Sequence, residues 1–173
     1  MNTLIEAAKN GDKEAFTKLI VLIKIDLYKI ARMRFKCDDD INEAVQETII
    51  EAFKSINKLR NIEYFKTWII KILINNCNKI YKQNRKNNLV DYENVVEIDN
   101  RNNIENKIND LDFYILIDIL NYEERIIITL YYLEEFTTKE ISKILDKPEG
   151  TIKSKLSRAK VKIKKHIGGV NNE

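Results

Sequence analysis

The sequence predicts an all-α fold: two small helical domains joined by a flexible linker, the C-terminal one a helix-turn-helix. Three observations carry this. Gly 4 and Pro 1 among 173 residues leave too few turn formers for a fold of many tight β-turns. Apolar residues recur at intervals of three and four along most of the chain, within a composition that is 44% hydrophobic and 33% charged. That period breaks across "NNLVDYENVVEIDNRNN", which is Asn-rich, acidic and reads as the linker. The expected boundaries are 1–86, 87–103 and 104–168.

In "TLIEAAKNGDKEAFTKLIVLIKIDLYKIARMRF", Leu4, Ala7 and Ala8 begin a helical stripe that Asn10-Gly11-Asp12 ends. Asp12 then caps a second helix, whose inner positions are Ala15, Phe16, Leu19, Ile20, Ile23, Leu27 and Ile30. "CDDDINEAVQETIIEAFKSI" predicts a third helix, capped by Asp39 or Asp40, with Ile41, Val45, Thr48, Ile49 and Phe53 inward. In the fourth, "EYFKTWIIKILINNCNKIYKQNRK", the inner side is Phe65, Trp68, Ile69, Ile72, Leu73, Asn76 and Ile80. Trp68 lies on that apolar stripe, which favours core packing over base stacking. Beyond the linker the period resumes at Ile104, runs through "LDFYILIDIL", and continues in "YEERIIITLYYLEEF". Thr137 to Glu140 is a capping-box pattern opening a short helix to Leu145. Pro148, in the first turn of the last helix, loses no needed N–H there.

The formal charge is only +3, so its distribution says more than its sum. Within 61–86, Lys66, Lys71, Lys79, Lys82, Arg85 and Lys86 face Glu63 alone. The sign inverts over 87–122. From Pro148 onward, Lys153, Lys155, Arg158, Lys160, Lys162, Lys164 and Lys165 face only Glu149 and Glu173. Cys37 and Cys77 stand apart from each other and from the single His166, which argues against a zinc site and fits a reducing cytoplasm. No triad, metal cluster or nucleotide loop is visible, so neither a catalytic centre nor a cofactor is expected. The early charges of "MNTLIEAAKNGDKEAF" do not suit a signal peptide, and no apolar run approaches a membrane span.

A short helix, a turn of about three residues and a longer basic helix form a helix-turn-helix pattern. On the last helix Ile152, Leu156, Ala159 and Ile163 make the inner stripe, while Ser154, Ser157, Arg158, Val161 and Lys165 point away, flanked by Lys153 and Lys164. Small hydroxyls permit close approach to a duplex, and Lys or Arg meets phosphates and guanine edges. Gly150 removes a side chain where the helix end would approach DNA, and the free N–H groups around Thr151 suit a phosphate. A basic face can also be merely solvated; the capping box, short turn and Pro-Glu-Gly-Thr cluster favour the DNA-reading helix.

"EERIIITLYYLEEFTTKEISKILDKPEGTIKSKLSRAKVKIKK" resembles the promoter-reading C-terminal domain of bacterial extracytoplasmic-function (ECF) sigma factors, in the sigma-70 superfamily. "AAKNGDKEAFTKLI", "AVQETIIEAF" and "FKTWIIKILINN" are similar to the first domain of that family, in the same order. There are departures: Asp146 stands where the family has a turn glycine, Asn121 where it has proline, and Asn42-Glu43-Ala44 where it has Glu-Asp-Leu.

The resemblance implies a detachable specificity subunit, not an enzyme, that binds core RNA polymerase in the cytoplasm, brings it to a promoter and helps open the DNA. It implies docking on the β′ clamp helices, for which Asp40, Glu43, Gln46 and Glu47 are the expected surface, and contact with the β flap. It implies −10 contact by the fourth helix, where Lys71, Asn75, Asn78 and Lys82 share a face with Lys79 and Arg85 nearby. The connection before that helix would capture an unstacked base, with Asn57, Lys58, Arg60 and Asn61 as lining. The −35 contacts would come from Gly150, Thr151, Lys153, Ser154, Ser157, Arg158 and Lys164. The resemblance also implies control by a membrane-anchored anti-sigma factor, with no direct membrane insertion of the chain itself. Two rivals remain at this point: a dimeric helix-turn-helix repressor or activator, and a protein that occupies the polymerase clamp without supporting transcription.

Overall fold

The computed structural model describes residues 1–87 and 113–170. Asn87, expected to open the linker, instead closes the fourth helix; the rest of the expected linker, and the resumption of periodicity at Ile104, lie outside the described residues. Those that are described fall into two compact units, an N-terminal one and a C-terminal one, and the regular structure in both is helical.

In the N-terminal unit, α1 spans Asn2–Lys9 and buries Ile5 and Ala8, with Leu4 and Ala7 half-buried. It closes on Gly11, whose φ of +95 lies in the left-handed region that favours glycine. The N–H groups of Gly11 and Asp12 return to the carbonyls of Ala8 and Ala7, both at 3.1 Å, the hydrogen-bond pattern of a Schellman turn. Asp12 then caps α2 (Lys13–Ala31) as expected, accepting from the N–H of Glu14 at 2.9 Å and of Ala15 at 3.0 Å. The predicted inner face is buried, apart from half-buried Ile20.

Helix α3 spans Asp38–Ser55, and here the structure corrects two expectations. The cap position is Cys37, not Asp39 or Asp40, and it makes no side-chain cap bond; Asp38, Asp39 and Asp40 fill the first turn instead. There their charge still complements the positive helix end. The inner face is Ile41, Ala44, Val45, Thr48 and Ala52, with Ile49 half-buried and Phe53 exposed. Small side chains at 44, 48 and 52 let α4 (Phe65–Asn87) pack closely. Thr48 satisfies its hydroxyl on the Ala44 carbonyl at 2.7 Å and accepts from Asn76 of α4 at 3.3 Å; Asn76 also donates to Glu51 at 3.3 Å. Two 3-10 turns, Ile56–Lys58 and Ile62–Tyr64, connect α3 to α4 and pack against α1. Phe65, Ile69, Ile72, Leu73, Asn76 and Ile80 of α4 are buried as expected; Trp68 is half-buried, its ring 6.0 Å from that of Phe65. Burial pushes the Cys77 thiol up to about 12, which leaves it inert as a nucleophile.

In the C-terminal unit a helical stretch at 113–117 precedes α5 (Tyr122–Tyr132), α6 (Thr138–Leu145) and α7 (Glu149–Val170). The core includes Ile117, Leu120, Ile126, Ile127, Ile128, Leu130, Phe136, Ile141, Ile152, Leu156 and Ala159. The departure at Asn121 has a structural role: it caps α5 in a reciprocal box with Glu124, accepting from the Glu124 N–H at 3.0 Å. The Thr137–Glu140 box is also formed, with the Thr137 N–H donating to the Glu140 carboxylate at 2.9 Å.

Candidate nucleic-acid interface

The turn between α6 and α7 sets the entry of the basic helix α7. Asp146 adopts φ +50, so an aspartate takes the left-handed conformation at the position where the resembled family has a turn glycine. The Lys147 N–H reaches back to the Ser142 carbonyl at 3.1 Å, and the Ser142 hydroxyl donates to the Lys147 carbonyl at 2.6 Å. Pro148 stands just before Glu149, one position ahead of the helix, and its carbonyl accepts from Thr151 and Ile152 at 2.9 and 3.2 Å. Glu149 accepts from the Thr138 hydroxyl at 2.7 Å and pairs with Lys153 at 2.9 Å. Those bonds, Lys153 first and Thr138 next, hold its carboxyl below the ordinary glutamate value.

The basic block of α7 divides into two functions that its sequence does not separate. Lys155 donates to Glu123 of α5 at 2.8 Å, Lys147 also reaches Glu123, and Lys162 chelates the buried carboxylate of Glu124 at 2.8 Å to each oxygen. Burial tends to raise the Glu123 carboxyl, but hydrogen bonds from Lys147 and Lys155 outweigh it, and the group lies below its ordinary value. The acidic pair of α5 therefore staples α7 in place. Lys160 lies 5.0 Å from the Tyr131 ring centroid and 5.3 Å from that of Tyr132. Ser154, Ser157, Arg158, Lys164 and Lys165 remain exposed, along with Lys153; Ile163 is half-buried. Arg158 folds back only as far as the Ser154 carbonyl, at 3.3 Å.

Gly150 is exposed and helical, and a Cβ built there would meet no atom within 4 Å. Neither backbone conformation nor internal packing of this protein asks for glycine at that position. The vacancy faces outward from the N-terminal turn of α7, beside half-buried Thr151.

On the N-terminal unit, Asn75, Lys79, Lys82 and Arg85 are exposed along α4, with Lys71 and Asn78 half-buried. The Asn75 side chain makes no hydrogen bond among the described residues, so it does not serve local backbone groups. Arg85 lies 5.9 Å from the centroid of Tyr81, a ring that also carries Arg34 at 3.4 Å. In the connection before α4, Asn57, Lys58, Arg60 and Asn61 are all exposed, but they do not share one groove. Arg60 and Asn61 line a groove with Glu6 and Lys9 of α1 and Asn10, its C-cap; Asn57 and Lys58 do not. The α1 residues were not legible as site residues, because only folding brings them beside a loop some fifty positions away.

The α3 candidates also separate. Glu43, Gln46 and Glu47 are exposed, whereas Asp40 is half-buried and accepts from Asn84 of α4 at 2.9 Å. Ile50, one turn beyond Gln46, is exposed and joins this face; Phe53, at its edge, is part-exposed and packs edge-on against Phe16 of α2 at 5.1 Å. Among the described residues no helix is long and apolar enough to cross a membrane, and no group of three His, Cys, Asp or Glu could hold a metal.

Two family models match the chain: Sigma-70 region 2 over residues 19–87 and Sigma-70, region 4 over residues 112–163. The RNA polymerase sigma factor SigV of Bacillus subtilis (strain 168) is 31% identical over 151 residues, covering 87% of this chain and 90% of that protein. The ECF RNA polymerase sigma-E factor of Escherichia coli (strain K12) is 29% identical over 173 residues, 91% of this chain and 88% of that one. Among solved structures, CnrH in complex with the cytosolic domain of CnrY gives a TM-score of 0.70 at 17% identity, covering 97% of both chains. The sigma factor RpoE of Bartonella quintana, solved with the anti-sigma factor NepR, gives 0.68 at 20% identity, covering 88% of this chain and 96% of that one. At that identity the two structures establish a shared fold, and the sequence relatives establish the family. With its two matched helical regions, its capped helix-turn-helix and its outward basic faces, the chain belongs to the ECF group of the sigma-70 family, the alternative sigma factors that direct RNA polymerase to promoters for transcription initiation.

Proposed function

We propose how this sigma factor divides its work among its surfaces. The domain at 1–86 docks on the β′ clamp helices through Glu43, Gln46 and Glu47 of α3, with Asp40 supporting that face through Asn84. It meets the −10 element with Lys71, Asn75, Asn78, Lys79, Lys82 and Arg85 of α4 and with the connection before it. The domain at 104–168, joined through 87–103, reads the −35 element with α7 and meets the β flap. The protein acts in the cytoplasm, with polymerase.

One observation carries the −35 assignment: after the acidic staples of α5 engage Lys155 and Lys162, the outward face of α7 still presents Ser154, Ser157, Arg158 and Lys164 around an unneeded glycine. Run-off transcription with core polymerase tests it. Arg158→Ala, as a base contact, lowers use of the cognate −35 element by roughly 1–3 kcal/mol, while Lys164→Ala, as a phosphate contact, weakens all promoters alike. Gly150→Ala keeps or raises thermal stability, by up to about 1 kcal/mol from helix propensity, yet lowers −35-dependent transcription because its methyl group meets the duplex. Equal small effects of Arg158→Ala on cognate and random DNA would remove its base-reading role. Tight specific binding by the free chain at physiological salt would favour a repressor instead.

Control comes from an anti-sigma factor that is anchored in the membrane and covers the α3 and α7 faces. Support lies in the Bartonella quintana relative of the same fold, which was solved with an anti-sigma factor. The expected result is recovery of the tagged chain from unstressed cells with a stoichiometric second protein found in the membrane fraction. Recovery with core polymerase alone overturns it.

A further inference from the structure

We propose that the groove between α1 and the α3–α4 connection receives one extruded promoter base and that Glu6 makes it discriminate against thymine. This rests on the −10 role proposed above for the connection. The groove has a volume of about 450 Å³ and is lined by Glu6, Lys9, Asn10, Arg60, Asn61 and Ile62. That volume lies in the range of small-ligand sites. Its lining is what a nucleotide needs: half-buried Ile62 against the base, Lys9 and Arg60 for phosphates, and polar groups for the base edge.

Asn61, the obvious reader in the connection, is already engaged. Its Oδ1 accepts from the Glu63 N–H at 2.9 Å, and its Nδ2 donates to the Glu63 carboxylate at 3.3 Å. These bonds tie the amide to the turn, with one N–H and one lone pair still open. Glu6 is exposed, and its carboxylate has no hydrogen bond or ion pair among the described residues. The helix turn that carries it is nonetheless held in place. Ile5 and Ala8 anchor the other side of α1 in the core, the turn at Gly11 closes the helix, and both 3-10 turns pack against it.

An ionised carboxylate only accepts hydrogen bonds. Cytosine, adenine and guanine each carry an exocyclic amino group that can donate to it. Thymine has none; two carbonyl oxygens flank its single ring N–H, so it sets acceptor against acceptor and leaves a carbonyl unsatisfied. Lys9 and Arg60 bind backbone whichever base is present, and the preference falls to Glu6.

The test is a promoter library randomised across the −10 element, transcribed by core polymerase reconstituted with the full wild-type chain or with Glu6→Gln. Glutamine keeps the shape and adds a donor. The wild type should deplete thymine at one −10 position, and Glu6→Gln should raise its share there about fivefold or more. Other −10 positions, −35 preferences and the melting temperature stay as in the wild type. An unchanged base profile in Glu6→Gln, with a wild type that does show −10 preferences, overturns the role of Glu6 alone. A wild type with no −10 preference at all overturns the proposed use of the connection as well.

Discussion

Leu73→Ala should lower the free energy of unfolding by about 2–5 kcal/mol, measured by denaturant titration followed by circular dichroism. Leu73 is fully buried on α4, between Ile69 and Ile80 of the same inner stripe. The helix lies against α3 through Ala44, Thr48 and Ala52, which have no long side chains to swing into a vacated space. The cavity therefore stays open, and its cost adds to the lost transfer energy. Because α4 also carries the proposed −10 face, the same substitution should weaken promoter opening without touching any DNA-facing side chain. Val161→Ala on the exposed side of α7 is the control and should stay within about 0.5 kcal/mol of wild type. A loss at Leu73 no larger than at Val161 would refute the account of the α3–α4 core.

The helices were legible because each buries a face at a period near 3.6, and their ends because capping chemistry is local. Asp12, the Thr137–Glu140 box and the left-handed Asp146 all lie within a few residues of what they satisfy. Local chemistry misled at α3. Any of its three leading aspartates suits a cap by type, but the helix takes all of them into its first turn and begins from Cys37. The inner face of α3 was misjudged for a different reason. Hydropathy gives weight to large side chains, so Phe53 looked internal; its ring does pack edge-on against buried Phe16, 5.1 Å between centroids, yet stays part-exposed, whereas close helix packing selects small side chains and turns Ala44 and Ala52 inward.

The candidate sites show the same division. The basic face of α7 was visible in sequence, but which lysines serve the fold depends on carboxylates in α5, more than thirty residues earlier for both Lys155–Glu123 and Lys162–Glu124. Charge counting alone cannot distinguish a staple from a contact. The groove at α1 had no sequence signal, since Glu6, Lys9 and Asn10 read as an ordinary solvated helix end until the connection folds over them.

The α3 face yields the second large effect. Glu47→Lys and Ile50→Ala should each weaken binding to core polymerase by about tenfold or more, measured by competition against labelled wild-type protein. Glu47 and Ile50 are one turn apart on the outward side, with Glu43 and Gln46 on the same face. Neither is buried, so the helix should keep its stability in both variants. An exposed isoleucine bordered by carboxylates and an amide has the arrangement of an interface, with an apolar centre and a polar rim. The two positions should therefore fail differently. Charge reversal at Glu47 acts on the encounter: it should lower the association rate, and the deficit should shrink as salt rises. Truncation of Ile50 acts on the docked state: it should raise the dissociation rate, with little dependence on salt. Wild-type affinity in both variants would remove α3 from the polymerase interface and leave its acidic face as solvated surface.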